Sequence, residues 1–245
     1  MKNFFWILTH YLKRNFLDIP NYLLIGLPLV FIFAFQLITD FLTANDIDGS
    51  GLSGLTIVIV LAFQFFGADL VSDWLHQDLK GSTRLRLYVS GNDQRVFYFA
   101  VVIAGWLFNI LMGTILIAIT SLVPFINANW GNYVLAFIVI IFLSFLTKLI
   151  GVLIFYFTKD NKSGARFSYL FGEAMIGIAL FPAIFNLPDI VRTVTDFLPI
   201  GLGLRITETS TFGSTLPYFG ILLAMNIVLA MTVLLIGRRK NNDSI

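Results

Sequence analysis

The chain has 245 residues, of which 58% are hydrophobic and 12% are charged, whereas ordinary soluble domains carry about 25% charged residues. A water-covered globule of this composition would lack the polar surface to cover itself, so most of its surroundings are predicted to be lipid. The net charge of +2 gives no electrostatic footprint for nucleic acid, and the lack of cysteine excludes disulfides, thiolate metal sites and cysteine nucleophiles.

The N-terminal segment 1–19 is amphipathic and predicts an interfacial helix lying on the membrane surface. Its apolar residues recur at helical spacing, at Phe5, Leu8, Leu12 and Phe16. Pro20 then breaks the chain, as an elbow between a helix lying on the membrane and a helix crossing it would require. A basic membrane anchor without further function is the alternative interpretation.

Six windows are long and apolar enough to cross about 30 Å of hydrocarbon, which takes roughly 20 helical residues. They are 21–42, 52–71, 96–119, 132–157, 167–187 and 217–236. The connections between them are short apart from 72–95 and 188–216, which leaves no room for a soluble domain. The sequence therefore predicts an all-α integral membrane protein with six transmembrane helices and a single transmembrane domain over 1–245.

Lys and Arg alternate between the two sides of these spans. Thirteen lie in the N-terminal segment, the loops 72–95 and 158–166 and the tail, whereas the opposite loops hold only Arg192 and Arg205. Because short cytoplasmic loops retain basic residues, both termini are predicted to be cytoplasmic, in a multi-pass membrane protein.

The outer segment 188–216 is too long and too apolar for a solvated turn. Its apolar residues form an amphipathic turn or two, at Ile190, Val191, Val194, Phe197 and Leu198. We expect this segment to re-enter the outer leaflet in part, buried against protein because lipid cannot satisfy an open backbone. A seventh span through 188–208 is the alternative, and it would place the basic tail outside.

Three polar positions inside the spans carry structural predictions. Gly105, Asn109 and Gly113 recur every four residues, so that face should pack closely on another helix, with Asn109 bonding across the contact. A substrate contact is the alternative for Asn109. Lys148 and Glu173 lie within roughly 5 Å in depth of each other and are predicted to pair, the alternative being that each reaches the interface alone.

No catalytic motif is present in the sequence. It contains no phosphate-binding G-x-x-x-x-G-K-[ST] and no H-E-x-x-H, and His10 and His76 are too few for a histidine metal site. We therefore expect no enzyme site, no cofactor and no metal in this chain, and any ATP hydrolysis must occur in a partner.

The loop 72–95 combines charges of both signs with recurring apolar residues. Trp74, Leu75 and Leu79 are large apolar residues that a fully solvated loop would expose to water. A short interfacial helix is therefore predicted before Gly81, followed by a second interfacial segment. A basic loop touching anionic lipid is the alternative. Acidic and apolar residues in one short helix are typical of a surface that packs into a protein groove, with Trp74 as its anchor.

This loop resembles the cytoplasmic loop between the second and third spans of type 2 ABC-exporter permeases, in which an acidic helix precedes Gly-Thr, a basic-leucine stretch and a terminal Arg. The matching residues are Asp78, Gly81, Ser82, Arg84, Leu87, Ser90 and Arg95. Two positions differ from the family pattern: Ser82 stands where Thr is usual, and Gly91 stands where Pro is common. The order of an interfacial helix, six spans and a long outer connection before the last span is also similar.

The resemblance implies the permease subunit of an ABC exporter of the bacterial plasma membrane. It would work as a dimer with a second permease copy or a related permease, bound to two copies of a separate ATPase that holds ATP and Mg²⁺. With 245 residues, the chain most resembles the compact permeases that act in drug efflux or bacteriocin immunity. The residues expected to couple to the ATPase are Asp73, Trp74, Leu75, Asp78, Leu79, Gly81 and Arg84. A non-transport assembly or sensory subunit, or a secondary transporter, remains the alternative.

Overall fold

The computed structural model of the chain describes residues 2–44, 55–80, 94–123, 126, 128, 130–184, 188–208 and 212–242. This part of the chain is helical and contains no strand. The helices are α1 Lys2–Leu17, α2 Leu23–Ala44, α3 Leu55–Lys80, α4 Gln94–Leu122, α5 Tyr133–Phe157, α6 Asn161–Ile184, α7 Asp189–Asp196, α8 Pro199–Glu208 and α9 Phe212–Asn242.

In the part of the chain that the structure describes, five helices are long and apolar enough to cross a membrane. They comprise Ile19–Phe41, Leu55–Lys80, Val96–Leu122, Tyr133–Phe157 and Gly213–Arg238, and they coincide with five of the six predicted windows. The remaining window, 167–187, falls on α6, which is 24 residues long but is not among the five. The window 167–187 contains one charged residue, Glu173.

Helix α3 is the centre of the bundle, and 89% of its membrane-length window is buried. It packs against α2, α4, α5, α6 and α8, while α9 lies outside α5 and α8. The core between these helices is apolar, with Leu61, Phe65, Val139 and Leu143 fully covered. Close packing around one central helix therefore organises the fold.

The backbone of α3 changes its winding along its length. It is α-helical over Leu55–Phe63, forms a 3₁₀ turn over Gln64–Gly67, returns to α over Ala68–Leu75 and ends as a π-helix over His76–Lys80. The helix thus runs beyond residue 71, where the predicted window ended. The predicted separate interfacial helix before Gly81 is wrong, because residues 72–80 continue α3. Their apolar side chains are buried, and Trp74 packs on Tyr11 of α1.

Helix α1 packs across the end of α4, with Ile7 and Tyr11 buried in the contact. Of the apolar residues that defined its predicted face, Leu8 and Leu12 lie partly buried beside them, whereas Phe5 is exposed. Pro20 stands at the start of the 3₁₀ turn Ile19–Tyr22 that links α1 to α2. The predicted break at this proline is therefore present.

The predicted outer segment 188–216 holds two short helices. Helix α8 is buried against α5, α9 and α3 through Ile200, Leu202 and Ile206. Helix α7 instead exposes Ile190 and Val194. With 8 and 10 residues, α7 and α8 are each too short to cross a membrane, so the alternative of a seventh span through 188–208 is not what the chain adopts.

Candidate functional site

At one end of the bundle α1 is bonded to the last turns of α3. Asp78 is buried there and accepts hydrogen bonds from Tyr11 Oη and, at 3.2 Å, from Arg14 Nη1. Arg14 Nη2 donates to Gln77 Oε1, and the Arg14 guanidinium carbon lies 3.9 Å from the centroid of the Trp74 ring. These five residues, which we call the basic-end cluster, join α1 and α3 into one unit.

Tyr11 is a neutral donor within the basic-end cluster. Burial raises its pKa above the usual value, the hydrogen bond to Asp78 and that carboxylate's negative charge raise it further, and Arg14 opposes the shift. The hydroxyl therefore keeps its proton for Asp78 across the physiological pH range.

The opposite side of the α3 terminus is bonded to the end of α5. Lys80 Nζ donates to the carbonyls of Phe155, at 3.0 Å, and Thr158, at 2.5 Å. His76 lies with Nδ1 2.7 Å from Ser72 O and Nε2 3.0 Å from Thr158 Oγ1. An ammonium on the last carbonyls of a helix satisfies acceptors that have no partner within it. The final turn of α3 therefore caps α5 while its other face holds α1.

The structure places the residues predicted to contact an ATPase mostly inside the chain. Trp74 is 2% exposed, and its ring packs edge-on against Tyr11 at a centroid distance of 5.0 Å. Leu75 and Leu79 are buried as well, and Asp73 is half-buried. The expectation that Trp74 presents an exposed anchor is wrong, because α1 covers that face. Gly81 and Arg84 lie outside the described residues.

A second polar group lies deep in the bundle, where α3, α4 and α5 meet at the 3₁₀ turn. Asn109 Nδ2 donates to Gln64 O at 3.2 Å, Ser144 Oγ to Gln64 Oε1 at 3.3 Å, and Lys148 Nζ to Gly67 O at 2.5 Å. A Cβ added at Gly67 would lie 2.5 Å from both Lys148 Nζ and Asn109 Oδ1. Only glycine leaves room at this position for two polar side chains.

The predicted packing face of the third span is confirmed. A Cβ added at Gly105 would lie 3.0 Å from Val71 Cγ2, and a Cβ added at Gly113 would lie 2.8 Å from Ile140 Cγ2. Both glycines therefore sit in close helix contacts. Asn109 is buried between them and bonds across to α3. Small residues at four-residue spacing let the backbones approach, as in other membrane helix pairs.

The predicted pairing of Lys148 with Glu173 is wrong. Lys148 is fully buried and is bonded to Gly67 O, whereas Glu173 is exposed on α6. The carboxylate that acts electrostatically on Lys148 is Asp69, two residues beyond that carbonyl. Gly172 packs inward on Phe66, so the adjacent Glu173 is directed away from the bundle interior in which Lys148 is buried.

Sequence reasoning missed Asp69, Tyr11 and Arg14. Asp69 lies inside the predicted window 52–71, and one of its carboxylate oxygens is buried without a hydrogen-bond partner. An ionisable residue within an apolar window is itself a signal that would have found it. Tyr11 and Arg14 carry no such signal, because their roles depend on contacts with residues more than sixty positions away.

The described residues contain no group of three or more His, Asp or Glu side chains that could hold a metal ion. The arrangement of membrane-length apolar helices around a central helix with polar bonds defines a multi-pass α-helical membrane protein. Comparison of the chain with protein families, with curated proteins and with solved structures finds no match.

Proposed function

We propose that this chain is the membrane-spanning permease subunit of a bacterial ABC exporter, which couples ATP hydrolysis by a separate ATPase to export of a substrate such as a drug or antimicrobial peptide. The observation that carries the proposal is the basic-end cluster. This cluster bonds residues 72–80, which lead into the loop that carries the family resemblance, to α1. Lys80, at the end of the same segment, bonds it to α5. A force on that loop would reach three helices at once.

The proposal includes a sixth crossing by α6 and a partly re-entrant outer segment. Helix α6 runs beside α3. A Cβ added at Gly164 would lie 2.9 Å from Ser72 Oγ, and a Cβ added at Gly172 would lie 3.0 Å from Phe66 Cδ1. Its 24 residues span about 36 Å, enough for the bilayer core. With six spans the basic-residue asymmetry sets both termini in the cytoplasm, α1 at the inner interface and α8 within the outer leaflet.

In this mechanism two ATPase subunits close on ATP and Mg²⁺ and displace the loop that follows Lys80. The permease performs no bond chemistry. Because Asp78 and Arg14 tie α1 to α3, and Lys80 ties α3 to the α5 terminus, the displacement moves the inner ends of these helices together. A second permease copy completes the dimer and encloses the substrate path.

The test is copurification with the product of a neighbouring reading frame that carries a phosphate-binding loop, together with the ATP turnover of the complex. Replacing Arg84 by Glu in the segment that follows Lys80 should remove most of the copurified ATPase. The same charge reversal at Lys162, at the same end of the bundle but outside the loop, is the matched control and should leave assembly intact. Normal assembly and turnover with Arg84→Glu and Gly81→Leu combined would remove the loop from the mechanism.

The orientation has its own test, because the chain has no native cysteine. Single cysteines at positions 48, 128 and 210 should react with an impermeant thiol reagent from outside intact cells. Cysteines at 82, 162 and 242 should react only after the membrane is opened. Labelling of position 82 from outside would rule out the six-span orientation.

A secondary transporter is the second candidate, and the 3₁₀ interruption of α3 favours it. Interrupted helices with charged side chains near the membrane centre are typical of ion-coupled transporters, and Lys148 and Asp69 flank the turn here. Transport driven by an ion gradient in vesicles without any ATPase would favour this candidate over the exporter. A non-transport assembly or sensory subunit would support neither activity.

A further inference from the structure

One face of α6 is left uncovered by the other described helices, and it carries a carboxylate. Glu173 is exposed, and it takes part in no ion pair or hydrogen bond in the described part of the chain. The buried ammonium of Lys148 is already engaged by Gly67 O. The nearest cation on its own helix toward the basic end, Arg166, is seven residues away, or about 10 Å along the axis. The Glu173 charge is therefore uncompensated.

Glu173 lies level with the centre of α3. The residue before it, Gly172, packs on Phe66, since an added Cβ would lie 3.0 Å from Phe66 Cδ1. Phe66 belongs to the 3₁₀ turn in the middle of the span Leu55–Lys80, and one helical residue rises only about 1.5 Å. If α6 crosses the bilayer, this carboxylate stands near its midplane.

Aromatic and apolar groups surround the carboxylate. Tyr169 is one turn earlier on the same face of α6, is 48% exposed, and its ring centroid lies 6.3 Å from that of Phe66. Leu170 and Ile178 are exposed on either side. We call Glu173, Tyr169 and Phe66 the acidic–aromatic patch. Carboxylates and aromatic faces are the groups with which proteins bind organic cations.

We propose that the acidic–aromatic patch binds the cationic group of an amphiphilic substrate during export. The inference rests on the proposed function, because the patch would line the substrate path of the permease. An unpaired carboxylate does not face hydrocarbon, since ionisable side chains at this depth face a cavity, water or a partner charge. A cationic amphiphile matches the patch, with its charge on Glu173 and its apolar body along Leu170 and Ile178.

The experiment measures binding of tetraphenylphosphonium to the purified full chain in phosphatidylcholine nanodiscs, with empty nanodiscs subtracted. Saturable binding is expected, and Glu173→Gln should weaken it by about ten-fold or more, which corresponds to about 1.4 kcal/mol. Glu173→Asp keeps the charge and should retain most of the affinity. Tyr169→Leu removes the aromatic ring and should weaken binding, whereas Tyr169→Phe keeps the ring and should not. The matched control is Glu208→Gln, which removes an exposed carboxylate at the end of α8 and should change nothing.

Tetraphenylborate has the same shape and the opposite charge, and it should show no binding that depends on Glu173. Equal affinity of tetraphenylphosphonium for the unaltered chain and Glu173→Gln, or no saturable binding at all, would overturn the proposal. A change of oligomeric state in Glu173→Gln without cation binding would also overturn it and assign the face to a second copy of the chain. Because the binding needs no ATPase, loss of ATPase assembly with cation binding retained would refute the exporter assignment and leave the patch.

Discussion

Helices α3 and α9 are both apolar and long enough to cross a membrane, yet they have opposite surroundings. In the membrane-length window of α3, 89% of residues are buried, whereas in that of α9 only 11% are. The more buried helix is the less apolar one. Helix α3 holds Gln64 and Asp69, and two of its backbone carbonyls accept buried hydrogen bonds from side chains of other helices. Helix α9 instead exposes Ile227, Met231 and Leu234.

The difference shows that apolarity does not decide burial in this molecule. In water the most apolar helix would be driven to the centre, but lipid tails are as apolar as a leucine side chain and leave no such force. Polar groups and small residues then belong inside, where a backbone or side chain can satisfy them. Burial in α3 reflects close packing and polar bonding, and the exposed apolar face of α9 is the face that we expect to meet lipid.

The largest effect should come from Trp74 at the buried end of α3. Trp74→Ala removes a fully packed ring and should destabilise the chain by about 3–5 kcal/mol. Trp6 is 71% exposed on α1, and Trp6→Ala is the matched control, expected to change stability by about 0.5 kcal/mol or less. Thermal melting of both variants in detergent, followed by size-exclusion chromatography, measures the difference. Equal melting temperatures would contradict the burial of Trp74.

A charge placed on α9 should have the next largest effect. Ile227→Asp puts a carboxylate on an exposed position in the middle of that helix and should cost about 2.5–3.5 kcal/mol of membrane insertion. Ile227→Leu is the control and should insert normally. The measurement is the inserted fraction of α9 in a translocon assay of the full chain. Full insertion of the aspartate variant would mean that this face of α9 meets water or a polar partner and not lipid.

A single methyl group can test the close approach of α5 to α3. A Cβ at Gly151 would lie 2.4 Å from the backbone oxygen of Ala68, whereas a Cβ at Gly220 of α9 has nothing within 4 Å. Gly151→Ala should therefore destabilise the chain by about 1–3 kcal/mol, and Gly220→Ala should stabilise it by up to about 1 kcal/mol through helix propensity. Denaturation of the two variants in the same detergent checks the opposite signs. A stabilised Gly151→Ala would refute the contact.

The smallest effect is expected outside both helices, at the start of α6. Asp160 accepts a hydrogen bond from Ser163 N at 2.8 Å, and that bond holds the pKa of Asp160 below its usual value. A depressed folded-state pKa means that the stabilisation is present at neutral pH and is lost as the pH falls through that pKa. Asp160→Asn keeps the cap and should remove this acid dependence.

Amide hydrogen exchange of the first turn of α6, measured at neutral and acidic pH, reads out the cap directly. In the unaltered chain protection should fall on acidification, whereas the asparagine variant should lose little. Asp160→Ala should expose the turn at both pH values because the acceptor is gone. An unaltered chain whose protection does not respond to acid would show that the carboxylate does not cap the helix.

The position of most long helices could be predicted because apolarity over about 20 residues is a local property. Helix α5 was predicted at 132–157 and begins at Tyr133, with Asn132 as its cap, accepting from Val134 N. The end of α3 could not be predicted in this way. Its last turns are held by Tyr11 and Arg14, and no local pattern in residues 72–80 records which distant side chains will cover them.

The polar interior was predictable in part for a similar reason. The spacing of Gly105, Asn109 and Gly113 defines one face of a helix, so a close helix contact on that face could be predicted from the sequence. The identity of the helix on the other side of the contact, α3, could not. For Lys148 and Glu173 the sequence gives depth but not rotation about the helix axis. Gly172 turns inward to Phe66, and its neighbour Glu173 is thereby directed outward.

The 3₁₀ turn in α3 also sets the phase of everything that follows it. A 3₁₀ helix advances 120° per residue where an α-helix advances 100°, so the four residues Gln64–Gly67 add roughly 80° of rotation. A helical wheel drawn continuously through α3 is therefore out of register by about a fifth of a turn at Trp74, which precedes the π-helix His76–Lys80. Should the turn rewind to regular α-helix, the Trp74 side chain would swing by that angle, and the azimuth at which α3 presents this ring to α1 would change with it.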